Sequence, residues 1–341
     1  TITAKDALGN TATSYTGSHN LTFGPLADSP SGAHATVTNS SGAATAFGTA
    51  TAIAFSEGIA TVSAGKNGAM VLVKAGSTSL TVSDGSITNG AGLAVTVSPG
   101  SATELVLAAA TTTPTAGATD NLTITAKDAL GNTATSYTGS HNLTFGPLAD
   151  SPSGAHATVT NSSGTATAFG AATAITFTEG IATVSSGKNG AMVLVKAGST
   201  SLTVSDGSIT NGAGLAVTVS PGTAARLAWT SATASKGTLS SPCLFSCTGT
   251  GLTSSGTFKA NVSVTDSSGN TVSALGSGHT VSVTTDSGTL TGGSLTIAST
   301  GPATSTTQIA FTPPSKGAAS TLTAATAAGT VYTSATASIA R

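Results

Sequence analysis

Apolar and small polar residues alternate along this chain in short runs. In Leu122-Thr-Ile-Thr-Ala-Lys, Leu122, Ile124 and Ala126 share one face, and Thr123, Thr125 and Lys127 share the other. A period of two is the pattern of a half-buried strand. The same reading predicts strands at 104–108, 141–145, 174–178, 181–184, 202–205 and 215–219. Met192-Val-Leu-Val is apolar on both faces, which predicts a central strand. Glu179-Gly180 separates two strands and suits a tight hairpin, because glycine accepts positive φ without steric cost. The Ser/Gly/Ala/Thr-rich stretch 147–170 reads as an excursion with a long loop. No segment of helix length carries a 3.6-residue period. The prediction is all-β, with seven to nine short strands per ~120 residues, the density of a β-sandwich.

The pattern recurs. Residues 1–25 return letter for letter at 123–147, and residues 1–100 match 123–222 except at Ala43/Thr165, Thr49/Ala171, Ala54/Thr176, Ser56/Thr178 and Ala64/Ser186. A period of 122 residues is the size of a whole domain, so it predicts an array of modules rather than a solenoid. Three domains are expected: 1–100, 101–221 and a divergent 222–341. The third keeps the punctuation, with strands near 260–265, 278–283 and 333–340. Val-Ser-Pro-Gly at 97–100 and 219–222 leaves little linker, so the sandwiches are expected to form a semi-rigid rod. The first copy starts inside the repeat and lacks the counterpart of 101–122, which holds the second copy's first strand. Either a longer protein has been cut, the favoured expectation, or another chain donates the strand.

Composition narrows the picture. Only 7% of the 341 residues are charged, against about 25% in ordinary domains. The net charge of −1, with no Lys/Arg cluster, argues against nucleic acid as a partner. No apolar run approaches the ~20 residues of a membrane span. Few charges leave close packing of copies unopposed. An extracellular or cell-surface location is expected.

The strand followed by Lys-Asp-Ala-Leu-Gly-Asn at 127–132, then Ser-Tyr-Thr-Gly at 136–139, resembles bacterial immunoglobulin-like repeats of the invasin/intimin type (group 1), with a filamin-like element in Ser-Tyr-Thr-Gly. The stretch from Glu179 to Val184 and Lys196-Ala-Gly-Ser-Thr-Ser-Leu-Thr-Val resemble later strands of that family. The third domain keeps Asp266-Ser-Ser-Gly-Asn270 but lacks Tyr-Thr-Gly. The resemblance implies tandem immunoglobulin-like sandwiches serving as stalks, adhesins or fibres, and no catalysis.

Candidate chemistry is sparse. Asp6/Asn10, Asp128/Asn132 and Asp266/Asn270 repeat as Asp-x-x-Gly-Asn-Thr. Two oxygens could serve a calcium ion, which wants six to eight and a different pattern. The preferred reading is a structural turn, with Asp capping and Gly left-handed. His19, Asp28 and His34 recur as His141, Asp150 and His156, with His279 in the third domain; loop positions account for these as well as a metal does. Cys243 and Cys247, the two cysteines, are expected to form a local disulfide. Lys127 could suggest an isopeptide bond, but the alternation puts it on the solvent face. Trp229 is read as core. Asn20, Asn39, Asn121, Asn142, Asn161 and Asn261 begin Asn-x-Ser/Thr triplets of the kind a Ser/Thr-rich chain produces by chance. No catalytic motif is present, so no enzyme, cofactor or metal is expected. The expected function is structural: a bacterial surface stalk or fibre that self-associates or continues into further repeats. The alternative is an adhesin that binds a receptor or glycan on the host or cell surface through 222–341.

Overall fold

A computed structural model describes residues 1–253, 255–314, 319–328 and 330–341, with only the backbone of Ala328. The described chain is all-β, of immunoglobulin-like sandwich type, and contains no helix. Its contacts gather into two compact units. One comprises Thr1–Val106, Ile124–Ser140 and Thr176–Ala182, and the other Leu107–Thr123, His141–Ile175 and Thr183–Arg341. All five breaks between them along the chain fall within the second repeat copy.

In the first unit, Gly17–Phe23 lies between Ala50–Phe55 and Val82–Ser83, antiparallel to both. Thr36–Thr38 lies between Ala44–Ala46 and Met70–Val71. Gly76–Leu80 pairs with Leu93–Val97, and Ile2–Thr3 with Ile59–Ala60. Alternation sets the inward faces. In Ala50–Phe55, Thr51, Ile53 and Phe55 are buried while Ala50 and Ala54 are exposed. Leu21, Phe23, Val37, Ile53, Phe55 and Ala60 meet in one core. Each such large side chain contributes about 1.5–3 kcal/mol by leaving water. The hairpin at Glu57-Gly58 has φ of 49° and 79°, the positive pair of a type I′ turn, closed by Ser56 and Ile59 in both directions at 2.9 and 3.0 Å. Gly58 is also required sterically, since a Cβ there would lie 2.6 Å from the Ala12 carbonyl oxygen.

The second unit repeats these registers. Thr158–Thr160 pairs with Ala166–Ala168 as Thr36–Thr38 does with Ala44–Ala46. The stretch 147–170 therefore carries a hairpin within the excursion. Its turn is built by Asn161, whose Oδ1 accepts the backbone N–H groups of Ser163 and Thr165, so this Asn-x-Ser triplet is an Asx turn. The short runs hid it, because three residues are too few to show a period. Ala191–Val193 is central, bonded to Thr158–Thr160 on one side and to Thr119–Asn121 on the other. The strand expected at 202–205 is two elements. Gly198–Leu202 pairs with Leu215–Val219, and Val204–Ser205 pairs in a different sheet with Gly139–Phe145. The chain crosses between sheets at Thr203, and Leu202 and Val204 on either side of it are both buried.

From Arg226 onward two sheets face each other. One runs Arg226–Ala234, Phe258–Thr265, Ile309–Thr312, Thr289–Thr291. The other runs Thr238–Leu239, Ser246–Thr250, Ala335–Ile339, Ser320–Ala328, His279–Thr285, Ser294–Ile297. Ser246–Thr250 and Ala335–Ile339 are parallel. Trp229, Phe258, Val262, Phe311, Leu322 and Ala337 join both sheets in one core. Trp229 is fully buried, packs edge-on to Phe258 at 5.9 Å, and donates its indole N–H to the Thr336 carbonyl at 3.0 Å. Its fluorescence therefore reports this core. Phe258→Ala is expected to cost about 3–5 kcal/mol, read as a lowered denaturant midpoint of the Trp229 signal with little change in slope.

Candidate functional site

The Asp-x-x-Gly-Asn segments are turns, and two of them do more than turn. Asp128 Oδ1 accepts the N–H groups of Leu130 and Asn132 at 2.9 Å each, and Gly131 takes φ of 79°. The turn then faces the preceding repeat. Asn132 donates from Nδ2 to the Val73 carbonyl and accepts at Oδ1 from the Ala75 N–H, both at 3.0 Å. Asp128 Oδ2 accepts the Gly100 N–H at 2.8 Å, and the Leu130 carbonyl accepts the Ser31 N–H at 3.0 Å. A Cβ on Gly131 would sit 3.1 Å from Pro30 Cβ, so the glycine also permits the close approach. All these residues belong to the first compact unit.

The second unit contains the same joint. Asn270 donates to the Val195 carbonyl and accepts from the Ala197 N–H, both at 2.8 Å; Asp266 Oδ2 accepts the Gly222 N–H at 2.8 Å; and the Ser268 carbonyl accepts the Ser153 N–H at 3.1 Å. Here Leu244, inside the Cys243–Cys247 disulfide loop, reaches the same spot: its Cδ2 lies 2.6 Å from where a Gly269 Cβ would stand. The loop is tied down by its own backbone, with Leu244 accepting the Trp229 N–H and Phe245 the Thr336 N–H.

Asp6 and Asn10 form the identical turn by themselves. Asp6 Oδ1 accepts the Leu8 and Asn10 N–H groups at 2.9 and 2.8 Å, but both residues are exposed and Leu8 is 88% exposed. Asp128, Asn132, Asp266 and Asn270 are all buried. Identical sequence thus takes two environments, set by what packs against it. Sequence reasoning found the turn but missed the joint. The one available signal was recurrence of Pro-Gly and Asp-x-x-Gly-Asn at matched spacing.

A second feature is an apolar groove of about 460 Å³ in the first copy, lined by Ile2, Leu21, Phe55, Met70, Leu80 and Leu93 among others. Met70 is 45% exposed and Leu93 63%, whereas Met192, at Met70's position in the second copy, is fully buried. At the groove's rim Tyr15 donates its hydroxyl to Asp84 at 2.8 Å. Burial, then the Asp84 carboxylate, pushes the Tyr15 phenol up to about 12. The backbone N–H groups of Ile87 and Ser86, then Tyr15, hold the Asp84 carboxyl down to about 2. Burial raises the Asp128 carboxyl, but the N–H of Gly100, the Asn132 amide and turn N–H groups outweigh it and leave it below the usual value.

The other singled-out residues do not converge. His34 and His156 each meet the neighbouring Asp28 or Asp150, at 2.7 and 2.6 Å, in exposed pairs. His19, His141 and His279 lie on strands rather than in loops. His19 stacks on Tyr15, and buried His279 packs against Tyr332, so aromatic packing explains two of the five. Among the described residues no group of three or more His, Cys, Asp or Glu could hold a metal. Lys127 Nζ reaches the Gly131 carbonyl at 3.3 Å. No helix among the described residues is long and apolar enough to cross a membrane.

No family model matches the chain, and no curated protein does. Solved structures do. The chain is similar to FdeC, an Escherichia coli adhesin, at 17% identity over 99% of this chain and 90% of that one, with a TM-score of 0.35. It is similar to domains 1–6 of the surface layer protein SbsC at 16% identity over 99% of this chain and 37% of that one, with a TM-score of 0.21. It is similar to the D0–D1 domain of intimin at 14% identity over 69% and 98%, with a TM-score of 0.22. Intimin, whose type of repeat the sequence resembles, is among these neighbours. At these TM-scores they assign this chain neither an arrangement nor an activity, and its fold rests on its own strands and cores.

Two outcomes follow. Asn132→Ala and Asn270→Ala each leave buried backbone groups unsatisfied and are expected to cost about 1–3 kcal/mol in denaturant unfolding, while Asn10→Ala costs under about 1 kcal/mol. The Asp84 carboxyl is held below its unfolded value of about 3.9, so its contribution is present above pH about 4 and is lost as pH falls through about 2. Melting temperature should drop across that window, and Asp84→Asn should drop less.

Proposed function

We propose that this chain is a non-enzymatic segment of a bacterial extracellular stalk or fibre: three immunoglobulin-like modules, 1–100, 101–221 and 222–341, in tandem as a rod. The observation that carries this reading is the joint, made twice with the same four hydrogen bonds between an Asp-x-x-Gly-Asn turn and the repeat before it. Several hydrogen bonds at each joint, buried or partly buried, restrict bending, and restricted bending is what a spacer needs. The divergent third module keeps the joint although it shares little else, which fits a requirement at the junction rather than shared ancestry of the cores. The low charge and the Cys243–Cys247 disulfide fit an oxidising, extracellular setting.

A strand of 8–10 residues gives about 30 Å per module and about 100 Å for three. Small-angle scattering of the chain should return a maximum dimension near that length. Asn132→Ala/Asn270→Ala should broaden the distance distribution toward bent forms. A radius of gyration near about 20 Å, the value for a single compact globule of this length, would refute the rod.

A further inference from the structure

We propose that the Cys243–Cys247 disulfide is a redox-sensitive lock on the second joint. It holds Leu244 against the Asp266–Asn270 turn, and its reduction loosens that joint while leaving the first one unchanged. The inference rests on the joint described above. The disulfide belongs to the third module alone. In the second copy the connection between Glu104–Ala109 and Thr119–Lys127 runs 110–118. Between the third-module counterparts, Arg226–Ala234 and Phe258–Thr265, it runs 235–257 and carries both cysteines. The tip of this longer connection reaches the joint. Leu244 Cδ2 and Pro152 Cβ lie 2.6 and 3.2 Å from the point where a Gly269 Cβ would stand. At Gly131 the three atoms nearest to the corresponding point belong to Pro30 and Ser31 of the preceding repeat. The loop thus adds to the second joint a contact from the third module itself.

The loop is anchored on one side and tightened by the disulfide on the other. Cys247 sits on Ser246–Thr250 opposite Ala337, 1% exposed in the module's core, and Cys243 is half-buried against that core. Hydrogen bonds between Ser240 and Thr248 close the base of the loop, and the disulfide closes it nearer the tip. Leu244 and Phe245 are held inside that smaller ring, Leu244 buried and the Phe245 ring under the Arg226 guanidinium at 3.7 Å. Opening the ring removes a loop-closure constraint, so the tip gains conformations in which Leu244 is away from Gly269. A small dithiol can open it. Its thiolate attacks the sulfur of Cys243, the less buried partner, and the Cys247 sulfur leaves and takes a proton. The second thiol of the reductant then resolves the mixed disulfide. Two electrons and two protons pass to the protein, and the reductant closes into a cyclic disulfide.

The test is hydrogen exchange of the intact 341-residue chain, oxidised and after reduction with dithiothreitol. It is read at the Gly222 and Gly100 N–H groups, which donate to Asp266 and Asp128 at 2.8 Å each. The sequences that follow the two glycines differ, so their peptides are told apart by mass. Reduction should speed exchange at Gly222 by at least about tenfold and leave Gly100 unchanged. Trp229 emission should stay that of the folded core. Leu244→Ala with the disulfide intact should reproduce the effect at Gly222, and reducing that variant should add little. Equal exchange at Gly222 in the two redox states would overturn the lock. So would a parallel acceleration at Gly100, or loss of the folded Trp229 signal, since the disulfide would then hold the fold rather than the joint. A compact particle in scattering would count against the rod and leave the Gly222 contrast in place, so the two readings fail separately.

Discussion

Asn132 and Asn270 each present a side-chain amide to backbone that lies between strands, and each satisfies one carbonyl and one N–H there. The peptide groups of Val73 and Val195 lie in buried residues and those of Ala75 and Ala197 in half-buried ones, so they need partners. An unsatisfied buried polar group costs about 1–3 kcal/mol. An amide is the side chain suited to the task, as it donates and accepts in one plane. The turn holds it in place: the aspartate four residues earlier fixes the loop through its carboxylate and uses its second oxygen on Gly100 or Gly222. The local fold of the turn and the long-range seating of the repeat are thus one hydrogen-bond network.

The sandwich cores are ordinary by comparison. Alternation puts one face of each strand inward, and the buried phenylalanines, leucines and isoleucines drive the sheets together. Equivalent core residues of the two copies reach different burial where what packs against them differs. Met70 and Met192 make the point, since their flanking sequences are the same and their exposures are not. A strand's contribution therefore lies in the partner edge it meets as much as in its own residues.

The shifted carboxyl groups of the turns and loops share one direction and one cause. The carboxyl groups whose proton affinity shifts, Asp6, Asp84, Asp128 and Asp286, all shift downward, and each accepts backbone N–H groups. Ionised carboxylates held this way brace loops. General acid–base chemistry asks instead for a proton affinity near working pH, and these groups are moved away from it.

The sequence by itself determined what is local or periodic. The inward face of Leu122, Ile124 and Ala126, the Glu-Gly hairpins, the Asp-x-x-Gly-Asn turns and the repeat were all legible, because residues within a few positions of one another decide them. The hairpin within 147–170 and the sheet crossing at Thr203 were not, since runs of two or three residues carry no period. Only the tertiary structure decided that Asn132 belongs to a joint. Its partners Val73 and Ala75 lie 59 and 57 residues away, and no local pattern selects them. Only the tertiary structure likewise separated the exposed Asp6 turn from its buried twin at Asp128, because burial is a property of the neighbour and the letters are the same.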